Sequence, residues 1–277
     1  MNIAIIGLGL MGGSLALSLK KLDFINSVVG SDHNKQHQKD ALKLGLVDKI
    51  IEFKEVKKYD VIILAIPVNG VIAVLKNLTD VNKNSTIMDL GSTKEIIVNS
   101  IPKSIRKNFV ATHPMTGTEN FGPYAAIDGL YDGRVVVLCD LESSGDIQKK
   151  VSRKIFKALN MKKYFMKAKE HDRHAAFISH MPHVISYSIA NTVMKQENKH
   201  NILALAAGGF RSMSRLAKSS PSMWEDIFRQ NKTNLLEAIT LFEDELTKLK
   251  GNIKNNEWEN VNKTMQDGYK LHDILED

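Results

Sequence analysis

An apolar run, Ile3-Ala4-Ile5-Ile6, breaks at Gly7-Leu8-Gly9-Leu10-Met11-Gly12, and an alanine-bearing apolar segment, residues 14–22, follows at once. Strand, glycine turn and helix in that order form the fingerprint of a dinucleotide-binding βαβ unit. Each glycine has a separate physical task. Gly7 allows the tight turn, Gly9 lets backbone N–H groups approach a pyrophosphate, and Gly12 lets the helix pack closely on the strand with its positive end toward the anion. An acid is expected about 20 residues further on, where a ribose sits. Asp32 meets that expectation at the end of a second strand-like run, residues 27–31. A carboxylate there accepts from a 2′-hydroxyl and repels a 2′-phosphate, which predicts NAD over NADP. The competing reading, Asp32 as a turn and helix cap, explains the acid without the glycines.

The chain has 277 residues, room for two domains. Short apolar runs at 2–6, 27–31, 61–66, 86–90, 109–112, 135–139 and 163–166 alternate with amphipathic segments, as in a doubly wound sheet with helices on both faces. Beyond Glu170 apolar residues recur at helical spacing, over 174–194, 202–207, 224–249 and 258–275. The expected fold is therefore α/β, with a Rossmann-type domain at 1–167 and an all-helical domain at 168–277. Ile185, Ile189, Val193, Leu203 and Leu205 are more apolar surface than one helix pair buries, which predicts a homodimer through that second domain.

Composition excludes several classes. The formal net charge of +7 comes from scattered lysines with only 6% aromatic residues, so no nucleic-acid surface is expected. The most apolar stretch, residues 61–75, is broken by Pro67, Asn69 and Gly70 and is too short to span a membrane. No leader pattern is present, and one cysteine, Cys139, makes no internal disulfide, so a cytoplasmic protein is expected.

Ligands of such sheets gather outside the carboxyl ends of the strands. Three segments fall there. Ala65-Ile66-Pro67 leaves the sheet where a proline ends a strand, beside the expected dinucleotide. Asp89-Leu90-Gly91-Ser92-Thr93-Lys94-Glu95 offers Ser92, which with Glu95 also reads as a capping box. Thr112-His113-Pro114-Met115-Thr116-Gly117-Thr118-Glu119 places a histidine at a strand end. Oxidising an alcohol requires a group that takes the hydroxyl proton as hydride leaves, and imidazole titrates in the right range. His180 and His183, three apart on a helix, lack an acidic or cysteine companion, so no metal site is expected.

Together with Ser179-His180-Met181-Pro182-His183 and the segment from Gly208-Gly209-Phe210-Arg211-Ser212-Met213-Ser214-Arg215 to Trp224, these motifs resemble prephenate dehydrogenase. The resemblance implies a Rossmann domain, a helical dimerisation domain, and NAD-dependent oxidative decarboxylation of prephenate to 4-hydroxyphenylpyruvate in tyrosine biosynthesis. It implies that His113 bonds the ring hydroxyl, that Ser92 orients His113 near the nicotinamide, and that Arg215 binds a substrate carboxylate, although Arg211 one turn earlier has the same chemistry and spacing alone does not choose between them. It further places Ser179, His183 and Trp224 near the substrate, and Thr118 and Glu119 at a mobile rim. Ser212, Thr112 and Thr116 depart from the residues common in that family. With no mutase segment ahead of Met1 and no extension after Asp277, a monofunctional enzyme is expected. Arogenate dehydrogenase is the alternative, and a 3-hydroxy-acid dehydrogenase, with Lys218 as its lysine, a more distant one.

Overall fold

The computed structural model describes residues 1–275 and divides into two compact units, Met1–Asn231 and a second beginning at Lys232. The first contains eight strands: β1 (Asn2–Ile6), β2 (Ser27–Ser31), β3 (Lys49–Ile50), β4 (Val61–Leu64), β5 (Thr86–Asp89), β6 (Phe109–Pro114), β7 (Val135–Cys139) and β8 (Lys162–Met166). They form one sheet in the order β3-β2-β1-β4-β5-β6-β7-β8, parallel except where β6 meets β7. The order reverses between β1 and β4, which creates the crevice at the carboxyl edge.

Helices α1 (Leu10–Leu19), α2 (Lys35–Lys43), α3 (Val68–Leu75), α4 (Glu95–Asn99) and α5 (Asp146–Ala158) connect the strands. Two buried apolar layers result: Ile3, Ile5, Leu15, Leu19, Ile63 and Phe156 belong to one, and Ala4, Ile62, Leu64, Val71, Ile87 and Phe109 to the other. Successive strand residues thus feed opposite layers, as pleating requires of a sheet covered on both faces.

After β8 the unit continues through α6 (Ala168–Ala175), a π turn at Ala176–His180, α7 (Met181–Met194), α8 (Lys199–Ala204), α9 (Gly208–Ser214) and α10 (Pro221–Gln230). Pro182 has no N–H to give the preceding turn, and the wider π turn sits where that hydrogen bond would be lost. The second unit holds α11 (Lys232–Lys254), α12 (Trp258–Tyr269) and α13 (Leu271–Leu275). The run at 224–249, predicted as one helix, is two, parted at Asn231. No helix among the described residues is long and apolar enough to cross a membrane.

The glycine turn follows its predicted logic. Gly7 has φ +95°, and a Cβ there would stand 2.3 Å from the Ala65 carbonyl oxygen. At Gly12 a Cβ would stand 1.9 Å from the Gly7 carbonyl oxygen. Gly12→Ala is therefore expected to destabilise the protein by on the order of 3 kcal/mol, since backbone and not a flexible side chain must yield. Urea denaturation of the two proteins measures the difference.

Candidate active site

Gly9 precedes α1 with no side-chain cap, so the first N–H groups of that helix remain available to an anion. Two polar contacts hold the turn in place: Leu8 N donates to Asp32 Oδ2 at 2.9 Å, and the Tyr131 hydroxyl donates to the Met11 carbonyl at 2.8 Å. Asp32 Oδ1 also accepts from Asn34 N at 2.8 Å, while the cap of α2 is Asn34, whose Oδ1 accepts from Gln36 N and His37 N. The capping task thus belongs to Asn34. A carboxylate has about four acceptor positions, and the backbone uses two of them, so Asp32 can still receive ribose hydroxyls. These residues fit a dinucleotide.

β4 ends at Leu64, two residues earlier than predicted, and Pro67 stands immediately before α3, leaving Ala65 and Ile66 at the carboxyl edge against Gly7. β6 runs two residues further than predicted. His113 therefore lies within it, paired with Val137 of the antiparallel β7.

Between β5 and β6 sits a buried ion pair. Lys94 and Asp89 are both fully enclosed and in direct contact through Lys94 Nζ and Asp89 Oδ2. Lys94 Nζ also donates to the Thr112 carbonyl at 2.7 Å, and Asp89 accepts from Gly91 N at 2.9 Å and Thr112 N at 3.1 Å. Thr112 donates its hydroxyl to the Asp89 carbonyl. The pair ties the loop that carries Ser92 to the strand that carries His113. Breaking such a pair on one side leaves a buried charge uncompensated, at a cost of about 3–5 kcal/mol.

The capping box read at Ser92 and Glu95 does not form. α4 begins at Glu95 without a local side-chain cap, because the acceptor comes from α6: Asp172 Oδ1 accepts from Lys94 N at 2.7 Å and Oδ2 from Glu95 N at 2.9 Å. Asp172 Oδ1 also meets His171 Nδ1 at 2.8 Å, and His171 Nε2 meets His113 Nδ1 at 2.8 Å. A carboxylate only accepts, so His171 carries its proton on Nδ1, and with that ring neutral its Nε2 is the acceptor. His113 must then donate from Nδ1, and its Nε2 holds a lone pair. Ser92, expected to orient His113, makes no hydrogen bond to it among the described residues; His171 holds that ring. The reading from sequence missed His171 and Asp172, which lie 58 or more residues from the groups they hold.

Burial pushes the His113 imidazole well below the usual histidine range, and His171, Lys94 and His180 act in the same direction. His113 is thus neutral near pH 7, as a proton acceptor requires.

His183 Nδ1 donates to the Ser179 carbonyl across the π turn at 2.9 Å, and its ring stacks on Trp224 of α10 with centroids 3.4 Å apart. Asn231 Nδ2 donates to the Asp172 carbonyl at 2.6 Å and faces His180 Nδ1 at 3.1 Å, which puts the His180 proton on Nε2. That Nε2–H and the Trp224 Nε1–H are buried donors without partners among the described residues. At the rim, Arg215 meets Glu119 at 3.3 Å, and the Thr118 hydroxyl accepts from Asn120 N at 3.2 Å. Arg211, chemically equivalent by sequence, instead donates to the Ala206 carbonyl.

The family model described as prephenate dehydrogenase, nucleotide-binding domain, matches residues 15–164, and the model described as prephenate dehydrogenase, dimerization domain, matches 167–267. The chain belongs to the prephenate dehydrogenase family. It is 31% identical to the prephenate dehydrogenase of Bacillus subtilis over 267 residues, 94% of this chain and 72% of that protein. It is also 31% identical to the cyclohexadienyl dehydrogenase of Zymomonas mobilis over 258 residues, covering 90% and 87% of the two chains. The crystal structure of the prephenate dehydrogenase of A. aeolicus in complex with hydroxyphenyl propionate and NAD+ is similar over 100% of this chain and 98% of that chain, with TM-score 0.91 and 29% identity.

The buried histidines make stability pH-dependent in a definite direction. Burial lowers His180 from 6.5 to about 4, and it lowers His183 as well. Below pH 6.5 the unfolded chain takes up protons that the folded protein refuses, so acid favours unfolding. Each such group contributes stability that is complete above 6.5 and declines by about 1.4 kcal/mol per pH unit down to its folded pKa. Urea midpoints measured from pH 7 to pH 4 are expected to fall steadily, and less steeply in His180→Gln.

Proposed function

We propose that this chain catalyses the NAD-dependent oxidative decarboxylation of prephenate to 4-hydroxyphenylpyruvate, CO2 and NADH, the dehydrogenase step of tyrosine biosynthesis. The observation that carries the proposal is the ordered relay Asp172–His171–His113, which leaves His113 Nε2 as a bare acceptor at the carboxyl edge of the sheet that carries the glycine turn.

His113 Nε2 accepts the hydrogen bond of the ring hydroxyl and draws off its proton as the carbinol carbon becomes a carbonyl carbon. NAD, when bound, supplies the acceptor for the hydride leaving that carbon. The bond to the ring carboxylate breaks, CO2 departs, and its electron pair completes the aromatic ring, with the proton restored to the phenol oxygen. The positive charge that develops on His113 is stabilised through His171 by Asp172, the logic by which a buried carboxylate supports an imidazole base. Gly7 to Gly12, with Leu8, Leu10 and Met11 between, hold the pyrophosphate; Asp32 holds the ribose; Ala65, Ile66, Pro67 and Ser92 line the nicotinamide end.

Arg215 binds a substrate carboxylate with its rigid fork of donors, exchanging its contact with Glu119 for the ligand. Ser179, His183 and Trp224 receive the side-chain region, and Thr118 with Glu119 form the rim. The unpartnered His180 and Trp224 N–H groups are donors that a bound anion or ordered water satisfies.

The division of labour falls at residues 167 and 168, with dinucleotide binding before it and substrate binding after it. The protein is a homodimer through the helical part, where Ile178, Met194, Leu205 and Met213 are each more than half exposed. Its single buried cysteine suits the reducing cytoplasm.

His113→Asn removes the imidazole base while keeping a polar side chain of smaller size. Turnover of prephenate is expected to fall by about 10²- to 10⁴-fold with the Kd for NAD unchanged. An NADH-absorbance assay with prephenate and with arogenate, alongside calorimetric NAD titration, measures both quantities. Normal turnover in the variant sinks the assignment of His113, and a preference for arogenate replaces the substrate.

A further inference from the structure

A second polar chain runs through the side chains of Thr93, Gln230, Asn69 and Asp226. The buried Thr93 hydroxyl donates to Gln230 Oε1 at 2.8 Å, Gln230 Nε2 donates to Asn69 Oδ1 at 3.2 Å, and Asn69 Nδ2 donates to Asp226 Oδ1 at 2.8 Å. Its polarity is forced from one end. The Asp226 carboxylate only accepts, so Asn69 turns its nitrogen to Asp226 and its oxygen to Gln230. Gln230 then faces Asn69 with nitrogen and Thr93 with oxygen, and the hydroxyl has to donate. Neither amide can flip alone without setting acceptor against acceptor or donor against donor.

The four residues come from three elements. Thr93 is next to Ser92 on the loop after β5, and Asn69 lies in the first turn of α3, two residues beyond Pro67. Asp226 and Gln230 are one turn apart on α10, the helix whose Trp224 stacks on His183. The loop after β5 and the first turn of α3, both at the dinucleotide edge, are therefore hydrogen-bonded to α10.

We propose that this chain is the coupling element between the two ligands: dinucleotide bound against the loops after β4 and β5 sets the position of α10, and thereby of Trp224, for the substrate. Gln230, at its centre, is a positioning residue. The inference rests on the assignment of the dinucleotide and substrate sites made above. Mutual hydrogen bonds between elements with two arrangements are the means by which one site biases another, and the coupling is reciprocal.

The test uses full-length enzyme carrying Trp258→Phe, so that Trp224 alone fluoresces. Emission and calorimetry give the Kd of 3-(4-hydroxyphenyl)propionate with and without saturating NAD. The parent is expected to bind the acid more tightly with NAD, by a factor in the ordinary coupling range of about 5 to 150. In Thr93→Val, which removes only the hydroxyl donor, and in Gln230→Glu, which opposes the polarity of Asn69, the factor is expected to approach one, and the change of Trp224 emission on adding NAD alone to be lost. Thr93→Ser keeps the donor and is expected to restore both. In turnover the variants should show raised KM for substrate with a smaller loss of kcat. Equal factors in the parent, Thr93→Val and Gln230→Glu overturn the proposal, as does a parent that binds both ligands without coupling. A parent that binds neither ligand overturns the site assignment itself.

Discussion

One carboxylate organises the candidate site. Asp172 accepts three N–H groups, from Lys94, Glu95 and the His171 ring, while almost fully enclosed. Charge-assisted bonds of this kind are about twice as strong as neutral ones, and in a buried setting their loss leaves donors without water to replace the acceptor. The two backbone bonds cap a five-residue helix that could not hold its own start. The third orients a ring, whose other nitrogen orients His113. A structural cap and the orientation of the His113 ring are thus consequences of the same two oxygen atoms.

The neighbouring Lys94–Asp89 pair extends this frame across the sheet. It joins the end of β5 to Thr112 within β6, and the Lys94 backbone N–H is itself one of the groups Asp172 holds. So many polar groups buried together weaken the fold in acid, since His180 and His183 resist protonation in the folded state. Burial lowers His113 in the same direction and keeps its ring neutral near pH 7.

Sequence reasoning reached what is local or periodic. The glycine turn, Asp32 at its distance, seven of the eight strands, and His113 at the carboxyl edge are all legible because each rests on a few adjacent residues. β3 escaped notice because two residues make no pattern. Ser92 and Glu95 match a capping box, yet a carboxylate 77 residues away takes the backbone donors instead, and no local pattern announces it. His171 carried no signal apart from its place near the start of the first helix after the last strand. The break at Asn231 was hidden by apolar spacing that continues across it, although Asn231 uses its side chain to bond the Asp172 carbonyl.

Proton acceptance at His113 Nε2 requires the ring's own proton to reside on Nδ1. Long-range ¹H–¹⁵N correlation spectra of the imidazole rings, recorded on the free protein near pH 7 with His113→Asn for assignment, read that tautomer directly. The expected result is a protonated Nδ1 and an unprotonated Nε2 for His113, with His171 protonated on Nδ1 as well. A His113 ring protonated on Nε2, or on both nitrogens, contradicts proton acceptance at Nε2.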